Sequence, residues 1–158
     1  MQILAEHPET ADPLVAAFAA AEYVAHADGE DIVIRIGQSA PVLDRALDGR
    51  CWAVITAHNP GGVRHALDDN AAAQRTLEKC LRELRPTRML AVDNRDPSGQ
   101  WPDEPAWLFT FDDISVPDGL ARRFGQRAIV TGHPGGPAIL RLYRDSRDAP
   151  RSITAVAS

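Results

Sequence analysis

Apolar positions along the first third of the chain switch between helical and extended spacing, and this switching predicts the order of the elements. Residues 13–21 have helical spacing and follow Asp12, a residue type that caps helices. Residues 22–36 form two β-branched, extended runs on either side of Asp28-Gly29, a pair typical of a hairpin turn. Residues 39–49 predict a short helix that begins at a serine and ends at a glycine.

The middle of the chain carries the strongest pattern. Residues 51–57 are apolar on both faces, which predicts a central strand. Residues 67–85 have the longest helical pattern, with Asp68 or Asp69 as the expected cap and Pro86 as the stop. Extended runs and one further helical run follow, and the tail 144–158 is polar. We therefore predict one domain over residues 1–143 and a disordered tail over residues 144–158.

The order of these elements predicts the fold class. From Cys51 to Gly132 the elements are strand, helix, strand, strand, helix, strand. This is the order of a ferredoxin-like, split βαβ core. We expect an α+β domain with helices on one face of an antiparallel or mixed sheet. The N-terminal helix and β-hairpin would then be additions at an edge of that sheet.

The long helix has a mixed inward face. Leu77, Leu81 and Leu84 form an apolar stripe, and the same stripe continues toward the N-terminus through Gln74 and Asn70. A buried amide without a partner costs roughly 1–3 kcal/mol, so Asn70 must form hydrogen bonds. Two interpretations are open. Asn70 fixes the preceding loop through its backbone, or the amides and the N–H groups of the first helical turn face a polar or anionic ligand.

Composition and charge exclude several classes of function. The net charge is −5, and the first 50 residues carry nine acidic and three basic residues. No basic stripe with aromatic residues is present, which argues against nucleic-acid binding. No apolar run is long enough to span a membrane, and no signal sequence is recognisable, so we expect a cytoplasmic protein. The five histidines and two cysteines lack metal-ligand spacing, and we predict no metal and no cofactor.

Five stretches of the sequence resemble one protein family. They are IRIGQSAPVLDRAL, AVITAHNPGG, DDNAAAQRTLEKCLREL, GQWPDEPAWLF and ARRFGQRAIV, and the similarity covers roughly residues 23–142. In this order they are similar to an uncharacterised bacterial family, domain of unknown function 3293. The resemblance draws attention to Thr56, Asn59, Pro60, Asn70, Glu104, Gly125 and Gln126. His58 stands where an aromatic residue is common in that family, and the family implies no activity.

The candidate site is rich in amides and poor in nucleophiles. We predict a domain that binds a small polar or phosphorylated, nucleotide-like metabolite. A protein–protein interaction module is an alternative, as is an enzyme with Glu104 as general acid or base, so an enzymatic activity is left open. A homodimer is also left open. The predicted ligand-binding residues are Thr56, Asn59, Asn70, Gln74, Arg75 and Gln126.

Overall fold

The computed structural model describes residues 12–144 and 149–154. In this part of the chain the helices are α1 (Pro13–Ala20), α2 (Pro41–Ala46), α3 (Leu67–Glu83) and α4 (Ser115–Arg123). The strands are β1 (Glu22–Ala27), β2 (Glu30–Ile34), β3 (Trp52–Ile55), β4 (Met89–Arg95), β5 (Glu104–Thr110), β6 (Ala128–Gly132), β7 (Ile139–Leu142) and β8 (Arg151–Ile153).

All eight strands belong to one antiparallel sheet in the order β2-β1-β4-β5-β3-β6-β7-β8. The sheet curls into a half-barrel. Its distant strands approach each other at one place, because the segment after β2 reaches the segment before β7. Ile36 forms an isolated bridge with Ala138, and the Gly37 N–H donates to the Ala138 carbonyl at 2.8 Å.

Helices cover both faces of the curled sheet. Side chains from β1 to β7 converge on one core, which α1 and α2 cover with Val15, Ala19 and Leu43. The other core lies over β3, β5 and β6, where α3 and α4 contribute Leu77 and Leu120. The predicted ferredoxin-like core, with helices on one face, is therefore wrong. Sequence spacing identified the elements, but it could not show the curl or the separation of the helices.

The N-terminal elements agree with their sequence signals. The Asp12 carboxylate accepts a hydrogen bond from the Leu14 N–H at 2.9 Å, which confirms it as the cap of α1. Asp28 and Gly29 both have positive φ, as the hairpin between β1 and β2 requires. This hairpin is part of the sheet, because β1 pairs with β4.

Three details of the prediction need correction. The residue that precedes α3 is Ala66, and no side chain caps this helix, so Asp68 and Asp69 lie in its first turn. Leu84 is 49% exposed, because α3 has already ended at Glu83 and the chain turns away from the core. Arg151–Ile153 form β8 beside β7, so this part of the tail is ordered; residues 145–148 and 155–158 lie outside the described range.

Candidate functional site

The loop that follows β3 is held by a pair of asparagines. Asn59 has left-handed backbone geometry (φ 48°), which asparagine tolerates better than most residues. Its N–H donates to Asn70 Oδ1 at 2.8 Å, and Asn70 Nδ2 donates back to Asn59 Oδ1 at 2.9 Å. Asn70 is only 4% exposed. Both ends of its carboxamide are therefore engaged by the loop.

Two further amides fasten the same loop. Gln74 Oε1 accepts from the Ala57 N–H at 2.9 Å and from Thr56 Oγ1 at 3.4 Å. Gln126 Nε2 donates to the carbonyls of His58 and Phe124 at 3.1 and 3.3 Å. The amide-rich cluster is thus built around backbone groups of the loop. Gln74 Nε2 is a buried atom for which the described residues provide no hydrogen-bond partner.

Every N–H group of the loop from Ala57 to Val63 donates a hydrogen bond within the protein. Those of Ala57, His58 and Asn59 donate to side chains of Gln74, Thr56 and Asn70. Those of Gly61, Gly62 and Val63 donate to carbonyls, and that of His65 donates to Asn59 Oδ1. A phosphate cradle needs several free N–H groups that converge on one point. This glycine-rich loop does not provide them, because it uses its donors to hold its own shape.

An open pocket lies beside this loop, at one end of the curled sheet. The strands alternate in direction, so β1 and β5 begin at this end while β3 and β4 finish there. Helix α1 forms one wall of the pocket with Leu14, Ala17 and Phe18. The volume is about 100 Å³, several times the volume of one water molecule. Small-molecule sites are common at the mouths of β-barrels.

A polar row from three adjacent strands lines the base of the pocket. Tyr23 on β1 lies opposite Asn94 on β4, and Asn94 lies opposite Glu104 on β5. The Tyr23 hydroxyl donates to the Phe18 carbonyl at 2.6 Å, which ties the row to α1. Asn94 Oδ1 is buried and has no hydrogen-bond partner among the described residues. The row therefore contains one asparagine whose hydrogen-bonding capacity is unused.

Glu104 is the only carboxylate of this row. It is half-buried, and its Oε1 accepts from Asn59 Nδ2 at 2.8 Å. Within the described part of the chain it has no ion-pair partner. Burial raises the pKa of Tyr23, and the charge of Glu104 raises it further. Burial lowers the pKa of His58, which also lines the pocket, although the charge of Glu104 opposes this shift.

The rim of the pocket combines arginines with an exposed indole ring. Arg127 pairs with Asp12 at 2.9 Å, whereas Arg95 has only long contacts of 3.8 Å with Asp93 and Asp103. Arg64 is exposed and has no ion-pair or hydrogen-bond partner among the described residues. The Trp101 side chain is exposed, and the residue as a whole is 50% exposed. The backbone N–H of Trp101 donates to Asp96 Oδ2 at 2.9 Å, and this hydrogen bond fixes the loop that presents the ring.

The seven sequence-predicted residues take three different positions. Asn59, Glu104 and Gln126 line the pocket. Thr56, Asn70 and Gln74 lie outside the lining and fasten the loop behind it. Arg75 is exposed on α3 beside Glu78 and Lys79 and contributes to a different part of the surface. Hydrogen bonds join Asn59, Asn70 and Glu104 directly, and Gln126 joins them through the loop backbone.

The sequence analysis missed Asn94 and the contribution of α1. A signal for Asn94 is present, because Leu90, Val92 and Asn94 alternate in β4 and so point to one face. The turn-like composition of the segment DNRDPSGQ obscured this alternation. No local signal indicates that α1 closes the pocket, because that contact depends on how the helix packs on a distant loop.

The described residues lack both a metal-binding cluster and a membrane-spanning helix. No group of three or more His, Cys, Asp or Glu side chains in this part of the chain could hold a metal ion. None of its helices combines the length and apolar character needed to cross a lipid bilayer.

Comparison with known proteins gives one positive result. No curated protein and no solved structure matches this sequence. A family model matches residues 55–129, from β3 to the start of β6, and this segment holds the loop after β3, Glu104 and Gln126. The resemblance seen in the sequence is confirmed over this range: the chain is similar to the family described as "Protein of unknown function (DUF3293)".

Proposed function

We propose that this protein binds a small polar metabolite in the pocket at the end of the half-barrel. The observation that carries the proposal is the half-buried carboxylate of Glu104, which faces the pocket without a cationic partner in the described chain. A carboxylate that is partly removed from water and left unpaired is unfavourable for stability. A ligand that pairs with it offsets that cost.

The surroundings of Glu104 also support binding. Asn59 holds the carboxylate in one orientation, and Asn70 holds Asn59 in turn. The loop is therefore arranged before a ligand arrives, and such preorganisation lowers the entropic cost of binding. The apolar wall from α1 and the Trp101 ring provide surfaces against which the body of a metabolite can pack.

A thermal-shift screen tests this proposal with a matched pair of variants. The panel contains nucleotides, nucleosides, amino acids and sugar phosphates. A ligand at 100 times its dissociation constant adds about 2.7 kcal/mol, which is several degrees for a chain of this size. Ala17→Leu fills the pocket from α1, whereas Ala16→Leu adds the same side chain at an exposed position of that helix. We expect Ala17→Leu alone to abolish the shift. A flat response of the unmodified protein to the whole panel contradicts the proposal.

Acid–base catalysis by Glu104 is a second candidate, because Glu104 and His58 line the same pocket. A general base must lie within hydrogen-bond reach of the proton that it takes up, and an unpaired carboxylate oxygen in a pocket meets that need. The measurement is turnover of any ligand that the screen finds. Loss of turnover in Glu104→Gln, with the affinity retained, supports catalysis. If the ligand reacts no faster with the protein than without it, the result contradicts catalysis.

A further inference from the structure

We infer that the ligand of this pocket is two-ended, with an N–H donor group at Glu104 and an anionic group at the Arg64 rim. This inference rests on the proposed binding function and specifies the class and orientation of the ligand. It follows from three features of the pocket: where hydrogen-bond donors are already used, where an acceptor is unused, and where a cation is unpaired.

The donors near the base of the pocket are largely occupied. Asn59 Nδ2 donates to Glu104, and Gln126 Nε2 donates to the His58 and Phe124 carbonyls. The Tyr23 hydroxyl donates to Phe18, and the loop N–H groups are engaged as described above. An anionic or carbonyl group of a ligand at the base would thus have few free donors and would lie beside a carboxylate. The base therefore disfavours a hydrogen-bond acceptor from the ligand.

The base does offer acceptors. Among the described residues only Oε1 of Glu104 accepts a hydrogen bond, so Oε2 is available to a donor from the ligand. The carboxamide oxygen of Asn94, on the adjacent strand, has no hydrogen-bond partner among the described residues. Rotation of its carboxamide can therefore present an oxygen beside that carboxylate. Two neighbouring acceptors match a group with two N–H bonds, such as an ammonium, an amidine or the amino edge of a heterocycle.

The opposite polarity applies at the rim. Arg64 has no partner in the described chain, and the contacts of Arg95 with Asp93 and Asp103 are long. Both arginines line the same pocket as Glu104. Guanidinium groups bind carboxylates and phosphates with paired, parallel hydrogen bonds. The pocket is therefore negative at its base, and at its rim the three arginines outnumber the carboxylate of Asp96, so it favours a ligand with the reverse arrangement.

Two kinds of metabolite share this chemistry. One is an α-amino acid with an apolar side chain, in which the ammonium would meet Glu104 and the carboxylate the rim. The other is a nucleotide with an amino-bearing base, in which the base edge would meet Glu104 and the phosphate would remain outside. Phe18, Leu14 and Trp101 suit either an aliphatic side chain or a ring.

Isothermal titration calorimetry of the full chain with matched probes tests the inference. Leucine is compared with 4-methylpentanoate, which lacks the ammonium, and with isoamylamine, which lacks the carboxylate. Guanosine monophosphate is compared with inosine monophosphate, which lacks the exocyclic amine, and with guanosine, which lacks the phosphate. We expect the two-ended member of at least one series to bind at least about tenfold more tightly than either truncated member. The free energy of one hydrogen bond to a charged group corresponds to a change in affinity of about tenfold or more.

Three variants locate the two ends. Glu104→Gln keeps an oxygen for Asn59 and removes the charge, so we expect the affinity for the intact probe to fall about tenfold or more. Arg64→Gln should weaken only probes that carry the anion. Arg75→Gln, at an exposed position away from the pocket, is the control and should leave affinity unchanged.

The results separate the inference from the proposed function. Tight binding of 4-methylpentanoate, inosine monophosphate or inorganic phosphate, unaffected by Glu104→Gln, overturns the inference and leaves the binding function intact. The absence of binding by every probe and by every member of the thermal-shift panel overturns both. Selective binding of the leucine series assigns the pocket to amino acids, and selective binding of the guanosine series assigns it to nucleotides.

Discussion

Two asparagines, Asn70 and Asn94, have comparable positions in their elements but differ in the hydrogen bonding of their carboxamides. Each continues an inward-facing apolar row, Asn70 on α3 and Asn94 on β4. Asn70 uses both ends of its carboxamide to hold the loop after β3, whereas the buried oxygen of Asn94 has no partner in the described part of the chain. Polar groups that fully satisfy one another stabilise a structure, and an unsatisfied group costs free energy. The contrast separates a structural polar cluster from a row that has capacity for a ligand.

Replacement of Asn70 should have the largest effect on stability. Asn70→Leu removes the partner of the Asn59 N–H and of Asn59 Oδ1, so we expect the free energy of unfolding to fall by about 2 kcal/mol. Urea denaturation measures the change. Gln38→Leu, at an exposed amide, is the control and should shift the free energy by less than about 0.5 kcal/mol. A stable Asn70→Leu variant would show that the loop is held by other contacts.

The junction between the loop and α1 offers a narrower comparison. Gly61 and Gly62 both have positive φ, so an added Cβ strains the backbone at either position. A Cβ at Gly62 would clash with Leu14 Cδ2, whereas one at Gly61 would meet no atom of the described residues within 4 Å. We expect Gly62→Ala to be less stable than Gly61→Ala by about 1 kcal/mol, because Leu14 must move. Thermal denaturation of both variants measures the difference. Equal stabilities would mean that α1 shifts freely on the loop.

Replacement of Asn94 should separate stability from binding. Asn94→Leu removes an unpaired buried oxygen and adds apolar volume, so we expect the free energy of unfolding to stay constant or to rise by up to about 1 kcal/mol. The affinity for any ligand found in the screen should fall. Urea denaturation and calorimetry on the same preparation measure the two quantities. A loss of stability as large as that of Asn70→Leu would show that Asn94 stabilises the fold in the way that Asn70 does.

A third polar cluster, on the exposed side of β1, should give the smallest effect. Hydrogen bonds from His26 to Asp31 and Asp93, at 2.7 and 2.9 Å, raise the pKa of His26. A group whose pKa is higher in the folded protein stabilises it fully below its unfolded pKa, and this contribution is lost as the pH rises through the folded pKa. We therefore expect His26→Gln to reduce stability more at about pH 5.5 than at about pH 9.

Urea midpoints of the unmodified protein and of His26→Gln at the two pH values measure this dependence. His133→Gln, at an exposed histidine, is the control. The effect should decrease at high salt, because the His26 side chain is 37% exposed and its ion pairs are screened. A penalty that is the same at both pH values would show that His26 acts through neutral hydrogen bonds alone.

Local spacing was sufficient for some parts of this molecule. Asp12 is followed by a helix, Asp28-Gly29 forms a hairpin, and residues 52–55 form a fully buried strand. Each of these features depends on neighbouring residues and on a preference for one backbone geometry, so the sequence reports it directly. The requirement that Asn70 be hydrogen-bonded could also be predicted, since the cost of a buried unpaired amide does not depend on the fold.

The sequence by itself determined the elements before β8, their order and the presence of a polar patch on the inward face of α3. Only the tertiary structure decided the curl of the sheet, the covering of both faces by helices and the row of Tyr23, Asn94 and Glu104. These residues come from three strands and meet through strand register, a non-local property that one chain segment does not encode. The approach of α1 to Gly62 depends on the same packing, because it joins residues far apart in sequence across a shared core.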